Sequence, residues 1–186
     1  MNYLLLGGAR SGKSSYAERL ARELAGRVLF VATAEAGDEE MRCRIEKHKK
    51  GRPADWKTLE ASLDVAACLA GPASQADVVV LDCITLLVNN ILCRHLAGGE
   101  AELDAERVEK EASREIDALI ECMKKSQASF IIVSNEVGCG LVPADAMSRL
   151  YRDMLGRANQ VLAAYVDRVY LMVAGIPMPL KPQAGA

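Results

Sequence analysis

Short apolar runs alternate along this chain with longer stretches whose apolar residues recur every three or four positions. Tyr3–Leu6, Val28–Thr33, Val78–Asp82, Phe130–Ser134 and Val169–Val173 are rich in Val, Ile and Leu, the composition of strands buried on both faces. Between them the helical period predicts helices over Ser15–Leu24, Asp38–Lys50, Ile84–Leu96, Leu103–Lys125 and Asp145–Tyr165. Ala112, Ile116, Leu119, Ile120 and Met123 form one apolar stripe among charges. Met147, Leu150, Met154, Val161, Leu162 and Tyr165 form another, and both read as core rather than as partner surface. Strand–helix alternation of this kind predicts one α/β domain over residues 1–176, a mainly parallel sheet with helices on both faces. Gly98-Gly99-Glu100 reads as a loop, and residues 177–186, with three prolines and no apolar period, read as a trailing tail.

In such a sheet, ligands bind beyond the carboxyl ends of the strands. The first strand runs directly into Gly7-Gly8-Ala9-Arg10-Ser11-Gly12-Lys13-Ser14, a full match to the phosphate-binding loop G-x-x-x-x-G-K-[ST]. Glycines let the backbone close around phosphate oxygens, and the loop N–H groups with the following helix N-terminus cradle the anion. Lys13 is then placed to meet the β- and γ-phosphates, and the Ser14 hydroxyl to reach Mg²⁺. Val78-Val79-Val80-Leu81-Asp82 is four apolar residues closed by a carboxylate, the form of a Walker B strand, so Asp82 is a second expected Mg²⁺ ligand. Thr33-Ala34-Glu35 and Asn135-Glu136 are the other polar residues at strand ends.

Composition narrows the class. The chain has 186 residues, enough for one domain with a sizeable core, and a net charge of −2, which gives no electrostatic footprint for nucleic acid or a membrane surface. No apolar stretch approaches a membrane span, and the first strand and loop leave no room for a signal peptide, so a cytoplasmic protein is expected. The six cysteines (Cys43, Cys68, Cys83, Cys93, Cys122, Cys139) include no C-x-x-C pair. They read as small apolar residues of a reduced compartment, not as disulfides or a zinc site.

His48 lies in Arg42–Pro53, a segment with six basic residues and one acid. Met41, Ile45 and His48 fall at i, i+4 and i+7, so His48 is expected on a helix face turned inward. Two readings follow. His48 completes an apolar stripe, with the cations as a solvated face; or it is a neutral imidazole in a phosphate-attracting pocket, suited to act as a covalent nucleophile. His95 has no comparable surroundings and reads as structural.

Taken together, the phosphate loop, Ala32-Thr33-Ala34-Glu35, and Arg44-Ile45 through His48 to Gly51-Arg52-Pro53-Ala54-Asp55-Trp56 resemble one family. Leu81-Asp82-Cys83-Ile84-Thr85, Asn89-Asn90, Ser134–Pro143 and Arg152–Gln160 carry the similarity on. The family is the bifunctional adenosylcobinamide kinase/adenosylcobinamide-phosphate guanylyltransferase of cobalamin biosynthesis, and the similarity spans nearly the whole chain. H-x-x-G-R-P and N-E-V-G-x-G-x-V-P are its specific segments. The resemblance implies a P-loop NTPase fold of the RecA-like kind, a homotrimer, ATP and GTP with Mg²⁺, and a corrinoid substrate. It implies that His48 attacks the α-phosphate of GTP to form a GMP–histidine intermediate. Some members carry a second histidine beside it; here that neighbour is Lys47. The implied GTP contacts are Gly7–Ser14, Thr33–Glu35, Gly51, Arg52, Glu60 and Asp82.

Two other readings stay open on the residues alone. One is a P-loop small-molecule kinase with no covalent intermediate and a structural His48. The other is a nucleotide-binding switch or ATPase module acting on a macromolecule, against which stand the near-neutral charge and the absence of a basic stripe.

Overall fold

The computed structural model describes residues 1–24, 26–37, 39–97 and 104–181. In chain order the elements are β1 (Tyr3–Gly7), α1 (Lys13–Leu24), β2 (Val28–Ala32), α2 (Glu39–Gly51), β3 (Lys57–Glu60) and α3 (Val65–Leu69). A 3₁₀ turn at Pro72–Gln75 leads to β4 (Val78–Asp82), α4 (Ile84–Ala97), α5 (Ala105–Lys125) and β5 (Ser129–Val133). The chain continues through α6 (Ala146–Tyr165), β6 (Arg168–Val173) and β7 (Ile176–Pro179). The strands form one sheet in the order β3-β2-β4-β5-β1-β6-β7, parallel throughout except for the last pair.

Successive strand residues point to opposite faces, and this alternation sorts the core into two layers. Leu5, Phe30, Val80, Ile131 and Val133 pack against Ala17, Leu20 and Ala21 of α1. Leu4, Leu6, Val31, Leu81 and Ile132 face the other way, onto buried residues of α3, α4, α5 and α6. Burial on both sides explains why these strands are unbroken apolar runs. Asp104 and Asp145 start α5 and α6 as N-caps, accepting from the backbone N–H of Arg107 at 3.1 Å and of Ser148 at 2.7 Å.

The α5 stripe is buried throughout. The α6 stripe differs from expectation. Met154 and Leu162 are buried, Leu150 and Tyr165 half-buried, but Met147 and Val161 are exposed. The inward face of α6 is completed instead by Leu155, Ala158 and a buried asparagine, Asn159. Three elements carry too little apolar pattern to be foreseen: β3 is mostly exposed, α3 is five residues long, and β7 is proline-containing. β7 also corrects the reading of the C-terminus, because residues 177–179 pair with β6 instead of trailing. Gly98-Gly99-Glu100, the expected loop, and residues 182–186 lie outside the described residues.

His95 is structural, as expected, with Nε2 at 2.8 Å from Glu111 Oε2 across the α4–α5 contact. Cys68, Cys83 and Cys122 pack against the two cores as small apolar groups, while Cys43, Cys93 and Cys139 are exposed. Among the described residues, no helix is long and apolar enough to cross a membrane.

Candidate active site

The parallel strands all end at one rim, and the phosphate-binding loop closes over it between β1 and α1. Gly7 has φ 152°, and a Cβ there would meet Met172 O at 2.6 Å and Ser11 Oγ at 2.7 Å, so only glycine lets the loop leave the strand this tightly. Gly12 (φ 94°) would bring a Cβ within 3.0 Å of Gly175 Cα in the β6–β7 turn, whose N–H donates to Ser11 O at 2.9 Å. Lys13 is 8% exposed and its Nζ donates to Gly7 O at 3.0 Å and Gly8 O at 2.6 Å. The ammonium is thus held by its own loop at the helix N-terminus. Ala9 and Arg10 form the exposed crest, and Ser14 sits half-buried in the first turn of α1.

Asp82 closes β4 half-buried, separated from β1 by β5 alone. In register it pairs with Val133 on one side and Ala32 on the other. The residues after β2 lock onto it. Thr33 N–H donates to Asp82 O at 3.2 Å, and the buried Thr33 hydroxyl donates to Cys83 O at 2.7 Å and accepts from Cys83 N–H at 2.8 Å. Asn90 Nδ2 reaches Thr33 O at 2.8 Å and Ser62 O at 3.0 Å. Burial pushes the Cys83 thiol up to about 12, so it stands here as a neutral packing group. Ala34 is half-buried and Glu35 exposed.

Among the described residues, the buried polar side chains are Lys13, Thr33, Thr85, Ser134 and Asn159, and all five belong to this rim. Ser134 Oγ donates to Asn159 Oδ1 at 2.6 Å, Asn159 Nδ2 donates to Asn135 O at 3.0 Å, and Asn135 N–H donates to Thr85 Oγ1 at 2.7 Å. Tyr151 of α6 donates to Thr85 O at 3.2 Å. Among the described residues every buried side-chain nitrogen or oxygen has a hydrogen-bond partner, which makes a rigid polar floor inside an otherwise apolar sheet.

The α2 arm is built differently. His48 is exposed, and Ile45 is only half-buried, so the expected inward face does not turn into the core. The side chain of Met41, the third member of that stripe, lies outside the described ones. The physical reason is composition: Glu39, Arg42, Glu46, Lys47, Lys49 and Lys50 leave the helix little to bury. After it, Gly51 is exposed, but Arg52 lies half-buried with its guanidinium 3.7 Å from the centre of the Phe30 ring on the α1 face of the sheet. Burial lowers the Arg52 pKa against the pull of Asp82, Glu18 and Glu60. Glu60, at the end of β3, is exposed and pairs with Lys49 at 2.5 Å.

Glu18 was not singled out in the sequence. Desolvation raises its pKa, opposed by Arg22, His48 and Arg52, so its carboxylate lies in the charge field joining the two halves of the site. The available signal was spacing, since Glu18 stands one helical turn beyond Ser14. Thr85, Ser134, Asn135 and Asn159 lay within the resembling segments, but their mutual bonds become visible only when α4, β5 and α6 meet.

The RadB recombinase is one similar solved fold, with a TM-score of 0.49 at 17% identity over 91% of this chain and 73% of that one, too loose to bear on function. The sequence similarities are far closer. The bifunctional adenosylcobalamin biosynthesis protein CobP of Pseudomonas aeruginosa is 45% identical over 181 residues, 97% of this chain and 98% of its own length. CobU of Salmonella typhimurium, with the same descriptive name, is 41% identical over 97% of this chain and 100% of its own, and CobU of Escherichia coli 39% over the same shares. Residues 3–180 match the family described as cobinamide kinase / cobinamide phosphate guanyltransferase, and it is to this family that the chain belongs.

Proposed function

We propose that the protein transfers the γ-phosphoryl group of ATP or GTP to the aminopropanol hydroxyl of adenosylcobinamide. It then transfers GMP from GTP onto that phosphate through His48, giving adenosylcobinamide-GDP. The observation that carries the nucleotide half is the buried Lys13, held in a loop whose Gly7 and Gly12 leave no room for a side chain, with the strand that ends in Asp82 one strand away from β1. Phosphoryl transfer is mostly positioning and charge neutralisation, which a rigid cradle supplies. Lys13 turns from the loop carbonyls to the β- and γ-phosphates when nucleotide arrives.

The residues present fit Mg²⁺. Ser14 and Asp82 offer hard oxygen donors, and no cluster of three or more His, Cys, Asp or Glu that could cage an ion exists among the described residues. That donor set matches an ion that keeps waters and shares substrate phosphates. When bound it neutralises charge on those phosphates.

For the second reaction, a His48 ring nitrogen forms a bond to the α-phosphorus of GTP as the bond to the β-phosphate oxygen breaks and pyrophosphate leaves. A phosphate oxygen of adenosylcobinamide phosphate then takes the GMP and frees the ring. Thr33–Glu35, Gly51, Arg52 and Glu60 contact this GTP, and the basic α2 surface offsets its charge. Exposure of His48 supports this reading over one in which the ring fills the core. A cytoplasmic homotrimer is the working form.

The test uses α-labelled GTP and the whole chain. A phosphoramidate on imidazole is acid-labile and survives alkali, so the label on the protein should be lost in acid and kept in base. His48→Asn should abolish the label and guanylyl transfer while leaving part of the kinase reaction. A well-folded His48→Asn protein that still labels would remove the covalent step.

A further inference from the structure

β5 lies between the strand that launches the phosphate loop and the strand that ends in Asp82. Its ladder with β1 continues past its last residue: Ser134 N–H donates to Leu5 O and Glu136 N–H to Gly7 O, both at 3.0 Å. The backbone is therefore still extended at Asn135. Val133 is in register with both Leu5 and Asp82 and packs in the α1 layer. Alternation sends the next side chain but one, Asn135, to that same face. It stands beyond the strand end, between Gly7 and Asp82, on the side where Lys13 and Ser14 open α1.

The Asn135 backbone is clamped at both ends of its peptide units, N–H to Thr85 Oγ1 and carbonyl to Asn159 Nδ2. Its side chain takes no part in this. Among the described residues the half-buried Asn135 amide has no hydrogen-bond partner. The neighbouring Glu136 does not compete for the role: its carboxylate accepts from Gly138 N–H at 2.6 Å, and alternation turns it toward the opposite layer. A polar group with an idle donor, on a backbone held by two part-buried bonds, is placed to meet something that arrives.

We propose that Asn135 is a catalytic residue of the kinase step, its Nδ2 donating to an oxygen of the γ-phosphoryl group. This rests on the reading that the loop holds the triphosphate whose γ-group is transferred. In that step the acceptor hydroxyl oxygen bonds to the γ-phosphorus and the bond to the β–γ bridging oxygen breaks. The electron pair stays on the nucleoside diphosphate, and the hydroxyl proton leaves to water. Charge spreads over the equatorial γ-oxygens as this happens, and a bond from an amide donor carried on a held backbone strengthens with it. Lys13 and the loop N–H groups serve the β-phosphate in any nucleotide, whereas Asn135 meets only a third phosphate.

Asn135→Ala and Asn135→Asp in the full chain test this, because both backbone clamps survive either change. The measurements are kinase kcat and KM with ATP, equilibrium binding of a non-hydrolysable ATP analogue and of ADP, and thermal melting. Asn135→Ala should lower kcat about 100-fold and weaken the ATP analogue severalfold, with ADP binding and Tm unchanged. Asn135→Asp, which faces a like charge, should weaken the analogue further. Unchanged kcat overturns the proposal, and so does a parallel loss of ADP binding or Tm, which would make Asn135 structural. If the wild-type chain fails to phosphorylate adenosylcobinamide, the kinase reading falls on its own, and the analogue-to-ADP binding ratio still decides the γ-phosphate contact.

Discussion

Lys13 is 8% exposed and tied to two carbonyl oxygens of its own loop, whereas His48 stands exposed on the last turn of a helix made largely of charges. The cradle borrows its rigidity from the core beneath it, with five buried polar side chains bonded at the rim of a sheet that is otherwise apolar. Among the described residues the α2 arm borrows little from the core, with Arg52 laid on Phe30 as one anchorage. The difference matches the chemistry proposed for each. A cradle must offer fixed dipoles at the moment charge moves, so it belongs where reorganisation is costly. The nucleophile proposed at His48 would meet first a nucleotide and then a bulky acceptor, and exposure leaves it reachable by both.

The largest expected effect tests whether the cradle serves both reactions. Lys13→Ala should cost kinase and guanylyl transfer alike at least about 100-fold in kcat/KM. Intact guanylyl transfer in that variant, measured with radiolabelled GTP, would give the second reaction a separate nucleotide site. Next comes the floor. Asn159→Ala removes the partners of Ser134 and Asn135 and leaves a buried hydroxyl unpaired, so it should destabilise the protein by about 3 kcal/mol in urea unfolding.

Tyr151 sharpens the same point through pH. Burial raises its pKa from 10.0 to about 12. The unfolded chain releases this proton first, so the folded form holds more protons between those values, and its stability falls as pH rises through them. Tyr151→Phe should flatten that alkaline decline in denaturant midpoints while costing about 1 kcal/mol at neutral pH for the lost bond to Thr85. The smallest effect belongs to the arm. His48→Asn should change stability by less than about 0.5 kcal/mol, as for an exposed site. A melting shift of many degrees would erase the contrast and return His48 to the core.

The cradle was legible because its conformation is written in glycines and its flanks in apolar runs: Gly7, Gly12 and Lys13 are where the motif puts them. Asp82 was legible for the same reason, as a carboxylate closing four apolar residues. The floor was not, because a buried Asn159 and an exposed one look alike until the strand it faces is known. Its signal was an asparagine on the inward side of the α6 period, next to Ala158 and Leu162. The position of His48 was misread inward because three apolar or neutral residues at helical spacing outweighed the charges around them. β3 and β7 escaped for a simpler cause: each is a short edge strand, half wet, held by its neighbour rather than by its own pattern.

β7 also governs what the sheet can join. Leu180 N–H donates to Val169 O, so the even-numbered residues of this strand aim their amides inward at β6. The odd positions face outward, and both are prolines, Pro177 and Pro179. An incoming strand would find carbonyl oxygens on that border but no N–H to answer its own acceptors. The far border, β3, has four residues to offer. The β7 border therefore cannot be extended by a further strand, and on that side the hydrophobic strands at the centre are kept from spreading into a shared sheet.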